Sequence, residues 1–337
     1  MKKKIFALLL AVLMTAAGCG NSREPNAGSE GRPAPAGRVV TDALGRQVEL
    51  PNTVETFVAL GNTPRMAAYL GLAGRAAGVG GMEAERVTPL TAYAYVNREV
   101  WKDLPAVGTD ASGNTDYYPE VILEAAPDVI LCTYTEDIAE DLEEKTGIPA
   151  VAVGQGTLFE EDYEQSLRIL GEVCGVPERA EAVIRYIRDC LEDLDKRTAG
   201  IPEEEKPSVL SAAATFKGVH GIEGVSLKNP DYIFCDYGGV ALVKQDAAEN
   251  PEYYGQLQAY REGRIFQHPS SASYFSNLEL SLANCYYIGS VIYPEQFADI
   301  DAEAKANEII QFLLGAENYM SVLRDWGAAC GPVDFGV

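Results

Sequence analysis

Polar and aromatic side chains follow many of the strand-like runs in this sequence. Because ligands of open α/β sheets bind at the carboxyl ends of the strands, residues at these positions are placed to contact a bound molecule. A Tyr hydroxyl can hydrogen-bond such a molecule while the ring stacks on its flat parts, and Arg65 or Lys217 can pair with an anionic group. The candidate ligand-binding residues are Asn62, Arg65, Tyr93, Tyr95, Tyr134, Lys217, His220, Tyr237, His268 and Tyr274.

Two details refine this set. Tyr93 and Tyr95 are expected in a long loop that caps the N-terminal half. Other residues that follow strands, or stand in the loops after them, are Met82, Glu136, Gln155, Phe159 and Asn277.

The residues that metal sites and enzymes need are sparse. The chain has two His, His220 and His268, whereas a bare zinc or manganese ion is usually held by several nitrogen or sulfur ligands in a tight set. The segment GQGTLF (154–159) lacks the third glycine of a dinucleotide-binding turn, and no G-x-S-x-G, Walker A or H-E-x-x-H motif occurs. The sequence therefore predicts a non-catalytic protein with no metal site and no cofactor.

Alternating strand-like and helix-like segments must position these residues. Strand-like runs occur at Thr56–Leu60, Val129–Cys132, Ala150–Val153, Ser208–Ala212 and Tyr232–Cys235. Helix-like stretches lie between them at Thr63–Leu70, Asp137–Thr146 and Asp162–Cys174. Such alternation predicts an α/β fold with parallel sheets and crossover helices.

The clearest helix is predicted from Pro177 to Thr198. Apolar residues recur there in steps of three and four, which gives one apolar face. Pro177 suits a first helical turn, and Gly200 and Pro202 end the pattern. A long helix between two α/β halves, without a long linker, suggests a stiff connector, so we expect no large hinge closure.

The composition limits the partners. Across 337 residues, 50 Asp and Glu outnumber 27 Lys and Arg, which gives a formal net charge of -23. Nucleic-acid binding needs a basic face for the phosphates, and an acidic surface disfavours binding to anionic lipid. We predict no nucleic-acid partner and no electrostatic attachment to a membrane.

The N-terminus has the features of an export signal. Three Lys (2–4) precede an apolar run, Ile5–Met14, that is too short to span a bilayer. Small residues and then Cys19 follow, so residues 1–18 resemble a bacterial lipoprotein signal, in which the Cys thiol receives the lipid. Residues 19–37 are rich in Gly, Pro and Ala and are predicted to be a flexible tether. The alternative is a plain secreted protein. For the six other Cys we expect buried thiols, with a bridge possible.

A short sequence pattern occurs once in each half of the chain. Glu120 stands seven residues before Pro127-Asp128, and Glu223 stands seven before Pro230-Asp231. Ile, Cys and Tyr then recur at the same spacing, so that six identities lie 103 residues apart without a gap. We interpret this as a duplication, although junctions of this type also resemble each other without common origin.

At these residues the chain resembles a known family. Several segments are similar, in their order and spacing, to cluster A (class III) substrate-binding lipoproteins of ABC importers for ferric siderophores, haem and cobalamin. These segments include VVTDALGRQVELPNTVETFVAL (39–60), PEVILEAAPDVILCTY (119–134), YREGRIFQHP (260–269) and SNLELSLANCYYIGSVIYPEQFADID (276–301). The resemblance implies two Rossmann-like lobes, residues 38–176 and 200–337, joined by one long rigid helix, 177–199. The C-terminal lobe departs from the family because it is shortened before its Pro-Asp junction.

The resemblance also implies partners. In the family one surface Glu on each lobe docks on the importer's membrane subunits, and Glu120 and Glu223 match these positions; Glu223 fits equally well in a cleft loop (HGIE). The expected partners are a permease, its ATPase and a metal chelate, with the protein a monomer outside the cytoplasm, held at the membrane by its lipid. Iron–siderophore is the leading solute, with cobalamin, haem or molybdate/tungstate as alternatives. An extracytoplasmic enzyme or adhesive lipoprotein on this scaffold is the alternative of another class.

Overall fold

A computed structural model describes residues 37–336 except 83–85, 112–113, 134–135, 155, 212–217 and 273–276. The signal segment, Cys19 and nearly all of the tether lie outside the described residues, as do Tyr134, Gln155, Lys217 and Tyr274. In the described part of the chain, no helix combines the length and the apolar character that crossing a membrane would require.

The first sheet is built from the N-terminal half. Strands β3, β4, β7 and β8 pair in parallel in the order β4-β3-β7-β8. Strand β7 is buried along its whole length, as expected for a parallel strand covered on both faces. The strands of this half are β1 (Arg38–Thr41), β2 (Gln47–Leu50), β3 (Phe57–Ala59), β4 (Ala76–Val79), β5 (Gly108–Ala111), β6 (Asn114–Tyr117), β7 (Val129–Cys132) and β8 (Ala150–Ala152). Its helices are α1 (Thr63–Tyr69), α2 (Ala92–Trp101), α3 (Pro119–Ala125), α4 (Glu136–Thr146) and α5 (Glu161–Val173).

The predicted long helix is present. Helix α6 runs from Pro177 to Thr198, with Pro177 in its first turn and a buried stripe that includes Val183, Ile184 and Ile187. The apolar period therefore predicted both the bounds of this helix and the face that it buries.

The second sheet follows α6. Strands β9, β10 and β11 pair in parallel, and the short β12 closes the edge antiparallel to β11. With the first sheet, this confirms the predicted α/β fold. The strands are β9 (Val209–Ser211), β10 (Tyr232–Asp236), β11 (Ile265–His268) and β12 (Gly331–Pro332). The helices are α7 (Val225–Lys228), α8 (Tyr237–Glu249), α9 (Pro251–Tyr254), α10 (Gln258–Arg261), α11 (Leu278–Ile292), α12 (Ala302–Leu314) and α13 (Tyr319–Asp325).

One apolar core crosses the boundary between the halves. One cluster of buried side chains contains Phe57 of β3, Ile187 of α6 and Leu280 of α11. A separate cluster, around Ile233 and Val243, lies on the second sheet. Helices from the C-terminal third thus complete the core of the N-terminal half, while the lobe bounds read from the sequence stay a prediction.

The two Pro-Asp junctions make equivalent hydrogen bonds. Asp128 accepts from the backbone N–H groups of Glu55 and Thr56 at 2.7 and 2.9 Å. Asp231 accepts from the N–H and the hydroxyl of Ser208 at 2.8 and 2.7 Å. In each case an Asp at the start of one strand holds the start of its neighbour, so β3 corresponds to β9 and β7 to β10.

The segments between these residues differ in length. Thr56 and Asp128 are 72 residues apart, whereas Ser208 and Asp231 are 23 apart. Helix α1, strand β4, helix α2 and the β5–β6 hairpin separate β3 from α3, while α7 is the one element between β9 and β10 in the described residues. The second lobe is therefore shorter than the first before its Pro-Asp junction, and its shortening relative to the family stays a prediction.

Candidate functional site

Helix α1, which follows a strand of the first sheet, contacts the start of α11, which follows a strand of the second sheet. Helix α1 begins four residues after β3, and α11 begins after the loop that follows β11. Side chains of α1 contact the first turn of α11, and Asn62 in the loop before α1 contacts one of them, Arg65. We call this contact the α1–α11 seam; it consists of Asn62, Arg65, Tyr69, Asn277 and Glu279.

A buried Arg lies at the centre of the seam. The Arg65 side chain is 1% exposed, its Nε donates to Asn277 Oδ1 at 3.1 Å, and a terminal nitrogen donates to Asn62 Oδ1. Its guanidinium carbon lies 4.4 Å from the centre of the Tyr93 ring, a cation–π contact. The structure thus brings together three predicted residues, Asn62, Arg65 and Tyr93. Arg65 faces Asn62 and Asn277 rather than solvent.

A second pair in the seam was missed by sequence reasoning. The Tyr69 hydroxyl donates to Glu279 Oε2 and accepts from the Leu278 N–H at 3.2 Å. Both side chains are fully buried. Burial raises the pKa of the Glu279 carboxyl, against the opposing hydrogen bond from Tyr69 and the charge of Arg65. The signal that marks Glu279 is an acid in the otherwise apolar start of a helix, LELSLA (278–283).

The prediction that Tyr93 and Tyr95 lie in a capping loop is wrong, because both residues lie in helix α2. The segment AYAYVNREVW places Tyr93 and Trp101 on one buried face, with their ring centres 6.2 Å apart. Tyr95 is half-buried, lies edge-on to Tyr319 at 6.2 Å and carries Arg98 over its ring at 4.1 Å. A helical period in a Tyr-rich segment was therefore overlooked.

The described candidates of the second lobe contact separate elements. Tyr237 opens α8 and its hydroxyl donates to the Trp326 carbonyl at 3.0 Å. His268 is 5% exposed, and its Nδ1 lies 3.1 Å from the amide nitrogen of Asn284 in α11. His220 is exposed. The structure does not gather these three residues around one point.

A mostly apolar cavity lies at the outer edge of the first sheet. Its volume is about 480 Å³, and its walls include Met82, Trp101 and Tyr118, with Arg98 and Lys102 also lining it. Met82 was predicted near a ligand because it follows β4, and the cavity is a recess at that strand end.

The two candidate docking residues are both exposed. Glu120 lies in the first turn of α3, and Glu223 lies two residues before α7. Because α3 leads into β7 and α7 leads into β10, both helices begin near the carboxyl edges of their sheets. Neither Glu makes an ion pair with another described residue. The exposed apolar residues Leu123 and Leu227 follow them on α3 and α7.

A buried carboxylate fixes the loop before Glu223. Asp246 of α8 accepts from the His220 N–H at 2.8 Å and from the Tyr254 hydroxyl at 2.7 Å. Gly218 has φ +67°, and a Cβ there would lie 2.6 Å from the Asp246 carboxylate. The loop is therefore held against α8 by contacts that require glycine at this position.

The structure offers little for direct metal binding. Within residues 37–336, gaps excepted, no group of three or more His, Cys, Asp and Glu side chains is arranged to hold a metal ion. The six described Cys are free thiols, and four of them are buried: Cys132, Cys174, Cys190 and Cys235.

Fold and sequence together define the class of the protein. Two mainly parallel sheets, with the long helix α6 between them in the chain, form the class III periplasmic-binding-protein fold. Residues 51–217 match the family described as periplasmic binding protein. The resemblance recognised in the sequence is thereby confirmed for family and fold.

Individual relatives place the chain more closely. An uncharacterized ABC transporter substrate-binding lipoprotein of Bacillus subtilis (strain 168), YvrC, is 24% identical over 219 residues. The match covers 62% of this chain and 63% of that protein, which is less than two thirds of its length.

Two solved structures show the same fold. A periplasmic solute binding protein from Veillonella parvula DSM 2008 is 20% identical, with 84% of this chain and 94% of that chain covered and a TM-score of 0.68. The molybdate periplasmic binding protein MolA of Haemophilus influenzae, solved with molybdate bound, is 18% identical, with 83% and 98% covered and a TM-score of 0.64. At these identities the likeness is one of fold.

Proposed function

We propose that this protein is the extracytoplasmic solute-binding lipoprotein of an ABC importer. It captures a metal chelate, an iron–siderophore complex, in the cleft between its lobes and delivers it to the permease. The observation that carries the proposal is the α1–α11 seam, because its two helices follow strands of the first and the second sheet, and ligands of open α/β sheets bind beyond such strand ends. The family match of residues 51–217 supports the same class.

The buried cation of the seam favours an anionic solute. The whole chain has a formal charge of -23, so an anionic chelate needs a local positive field to approach it. Arg65 supplies such a field from the floor of the cleft, where low dielectric strengthens it. Lys217, which follows β9 in sequence and lies outside the described residues, is proposed to contact the solute directly.

Native mass spectrometry tests the solute class. Residues 38–337, without signal and tether, are mixed with ferric siderophores, haem, cobalamin, molybdate and tungstate. We expect a saturable 1:1 complex with a ferric siderophore. A 1:1 complex with an oxyanion alone would move the proposal to the molybdate/tungstate alternative, and the absence of any complex would sink the solute-binding proposal.

The second step of the function is docking. We propose that Glu120 and Glu223 pair with cationic residues of the permease, and their exposure near the carboxyl edges supports this. Glu120→Arg is expected to abolish solute uptake in cells while the solute affinity of the purified protein stays unchanged. Glu124→Arg, on the same helix and also exposed, is the matched control and should retain uptake. Equal loss of uptake and affinity in Glu120→Arg would make Glu120 a cleft or folding residue.

The membrane attachment is proposed to be covalent. Cys19 follows a signal-like segment and is the site at which lipid would be added. Labelling cells with a radioactive fatty acid should mark the wild-type protein and leave Cys19→Ser unmarked. Labelling of both proteins would place the lipid elsewhere.

A further inference from the structure

We infer that Tyr69 and Glu279 are positioning residues for the solute cleft: they hold the first turn of α11 against α1, and so set the place of Asn277 and Arg65. The inference rests on the proposed function only in taking the cleft as the solute site. Neither side chain is expected to touch the solute, since both are fully buried.

Hydrogen bonds run through the pair in a continuous chain. The Leu278 N–H donates to the Tyr69 hydroxyl, which donates to Glu279 Oε2, and residues 69 and 279 are 210 positions apart. Leu278 is directly preceded by Asn277, whose Oδ1 accepts from Arg65. A displacement of the first turn of α11 would therefore move Asn277 away from Arg65.

Asn277 is the point at which several segments meet. Its backbone N–H donates to the Ser271 carbonyl at 2.6 Å, and its amide nitrogen lies 3.4 Å from the Leu90 carbonyl. Ser271 belongs to the loop after β11, and Leu90 precedes α2, which carries Tyr93. The position of Asn277 thus fixes two segments near the cleft together with α1.

Burying Tyr69 and Glu279 costs free energy that an apolar contact between the two helices would not cost. The second carboxyl oxygen of Glu279 and the hydroxyl of Tyr163 are buried without a hydrogen-bond partner in the described part of the chain. Apolar residues would fill the same space without burying an acid or unsatisfied polar atoms. A polar pair gives one defined register between α1 and α11, which is what a preset cleft requires.

The pair should respond to pH. The groups that act electrostatically with Glu279 are Arg65 and Tyr69 from α1, Tyr163 from α5 and Tyr319 from α13. Because burial raises the pKa of Glu279, the neutral carboxyl stabilises the seam fully below the ordinary pKa of a Glu. This stabilisation is lost as the pH rises through the raised pKa.

Hydrogen exchange of the Leu278 amide provides the test, on the protein alone. Tyr69→Phe removes the acceptor of this amide, and the exchange rate should rise about fivefold, the loss of one ordinary hydrogen bond. The matched control is Tyr286→Phe, which removes the hydroxyl of another buried Tyr, one that donates to Asp193 of α6 at 2.9 Å. The control should leave the Leu278 amide unchanged.

Glu279→Gln tests the same inference if Tyr69→Phe does not fold. Gln keeps an acceptor for Tyr69 and cannot ionise. The variant should therefore retain slow exchange of the Leu278 amide, and the protection factor of this amide, which is the exchange rate corrected for intrinsic chemistry, should no longer change with pH as it does in wild type. Exchange unchanged in Tyr69→Phe, or raised equally in Tyr286→Phe, overturns the inference. So does an identical pH profile in Glu279→Gln and wild type.

Measurements of solute affinity distinguish a failure of this inference from a failure of the proposed function. With the ferric siderophore that binds in the mass-spectrometry panel, Tyr69→Phe should weaken binding and Tyr286→Phe should not. Equal affinities for Tyr69→Phe and wild type overturn the positioning role. If wild type binds no compound, the proposed function fails, and the exchange results alone decide whether the pair holds the seam.

Discussion

The regions before the two Pro-Asp junctions share their hydrogen bonds and differ in their length and in the number of elements that they contain. Asp128 and Asp231 hold the starts of β3 and β9 in the same way, yet they close segments of 72 and 23 residues. The strand pair is thus the unit that both lobes keep, since it needs only two parallel strands and one carboxylate.

The longer segment supplies the first lobe's side of the candidate site. Asn62, Arg65, Tyr69 and Tyr93 all lie between β3 and β7; the last three belong to α1 and α2, for which the described part of the second lobe has no counterpart. The second lobe contributes to the seam through α11 instead. The comparison teaches that the lobes are equivalent in scaffold and unequal in the chemistry that they carry.

The largest effect is expected in the shared core. Leu280→Ala removes a fully buried side chain from α11, where it packs in the cluster that also contains Phe57 and Ile187. We expect a loss of about 3 kcal/mol in the free energy of unfolding. Chemical denaturation followed by probes in both lobes should show one common transition. Separate transitions for the two sheets would show that the core does not join them.

The carboxylates of Asp128 and Asp231 should make similar contributions to the free energy of unfolding. Asp128→Asn and Asp231→Asn each weaken two charge-assisted hydrogen bonds, so each should lower the free energy of unfolding by about 1–2 kcal/mol. Hydrogen bonds from Ser208 lower the pKa of Asp231. Its contribution is therefore present above the ordinary pKa of an Asp and is lost as the pH falls through the lowered value.

Urea unfolding of both variants and wild type, repeated at neutral and acid pH, checks this prediction. A large loss for one variant beside no loss for the other would mean that the junctions are only superficially alike.

The loops after the first strand of each sheet offer a closer comparison. Gly61 follows β3 and Gly218 follows β9, both with positive φ, and a Cβ would strike Thr133 in one case and Asp246 in the other. Either Gly→Ala change should cost about 1 kcal/mol or more. Thermal unfolding measures the cost, and hydrogen exchange should show faster opening near His220 in Gly218→Ala alone. Gly147→Ala, also at positive φ but with no neighbour near its Cβ, is the control for backbone strain.

The smallest effect is expected in the overall shape. Arg179 of α6 donates to the Tyr69 carbonyl at 3.0 Å and to the Phe312 carbonyl at 2.7 Å, so the helix is fastened to both α1 and α12. We expect the radius of gyration from small-angle X-ray scattering to stay unchanged when solute binds. A clear decrease on binding would show that the lobes close on a hinge.

Much of the fold could be predicted because its signals are local. The 3.6-residue period of residues 177–198, the alternation of strands and helices, and the Pro-Asp junctions are all read within short windows. The shortening of the second lobe was inferred from the spacing that the resembled family has, and it stays a prediction.

The seam could be predicted only in part. Asn62 and Arg65 were found because they follow a strand, but the bond from Tyr69 to Glu279 joins residues 210 positions apart and leaves no local pattern. Tyr93 was predicted as a candidate residue, but it was expected in a loop and lies in helix α2. Three candidates, Tyr134, Lys217 and Tyr274, lie outside the described residues, and their roles stay predictions.

Hydrogen exchange with the bound ferric siderophore tests the central claim most directly, because it maps the solute onto both lobes at once. The account predicts slower exchange in the loop from β3 into α1 and, in the same complex, in the loop from β11 into α11. Protection confined to one lobe, or limited to the cavity beside Met82 and Trp101, would contradict a solute site at the α1–α11 seam.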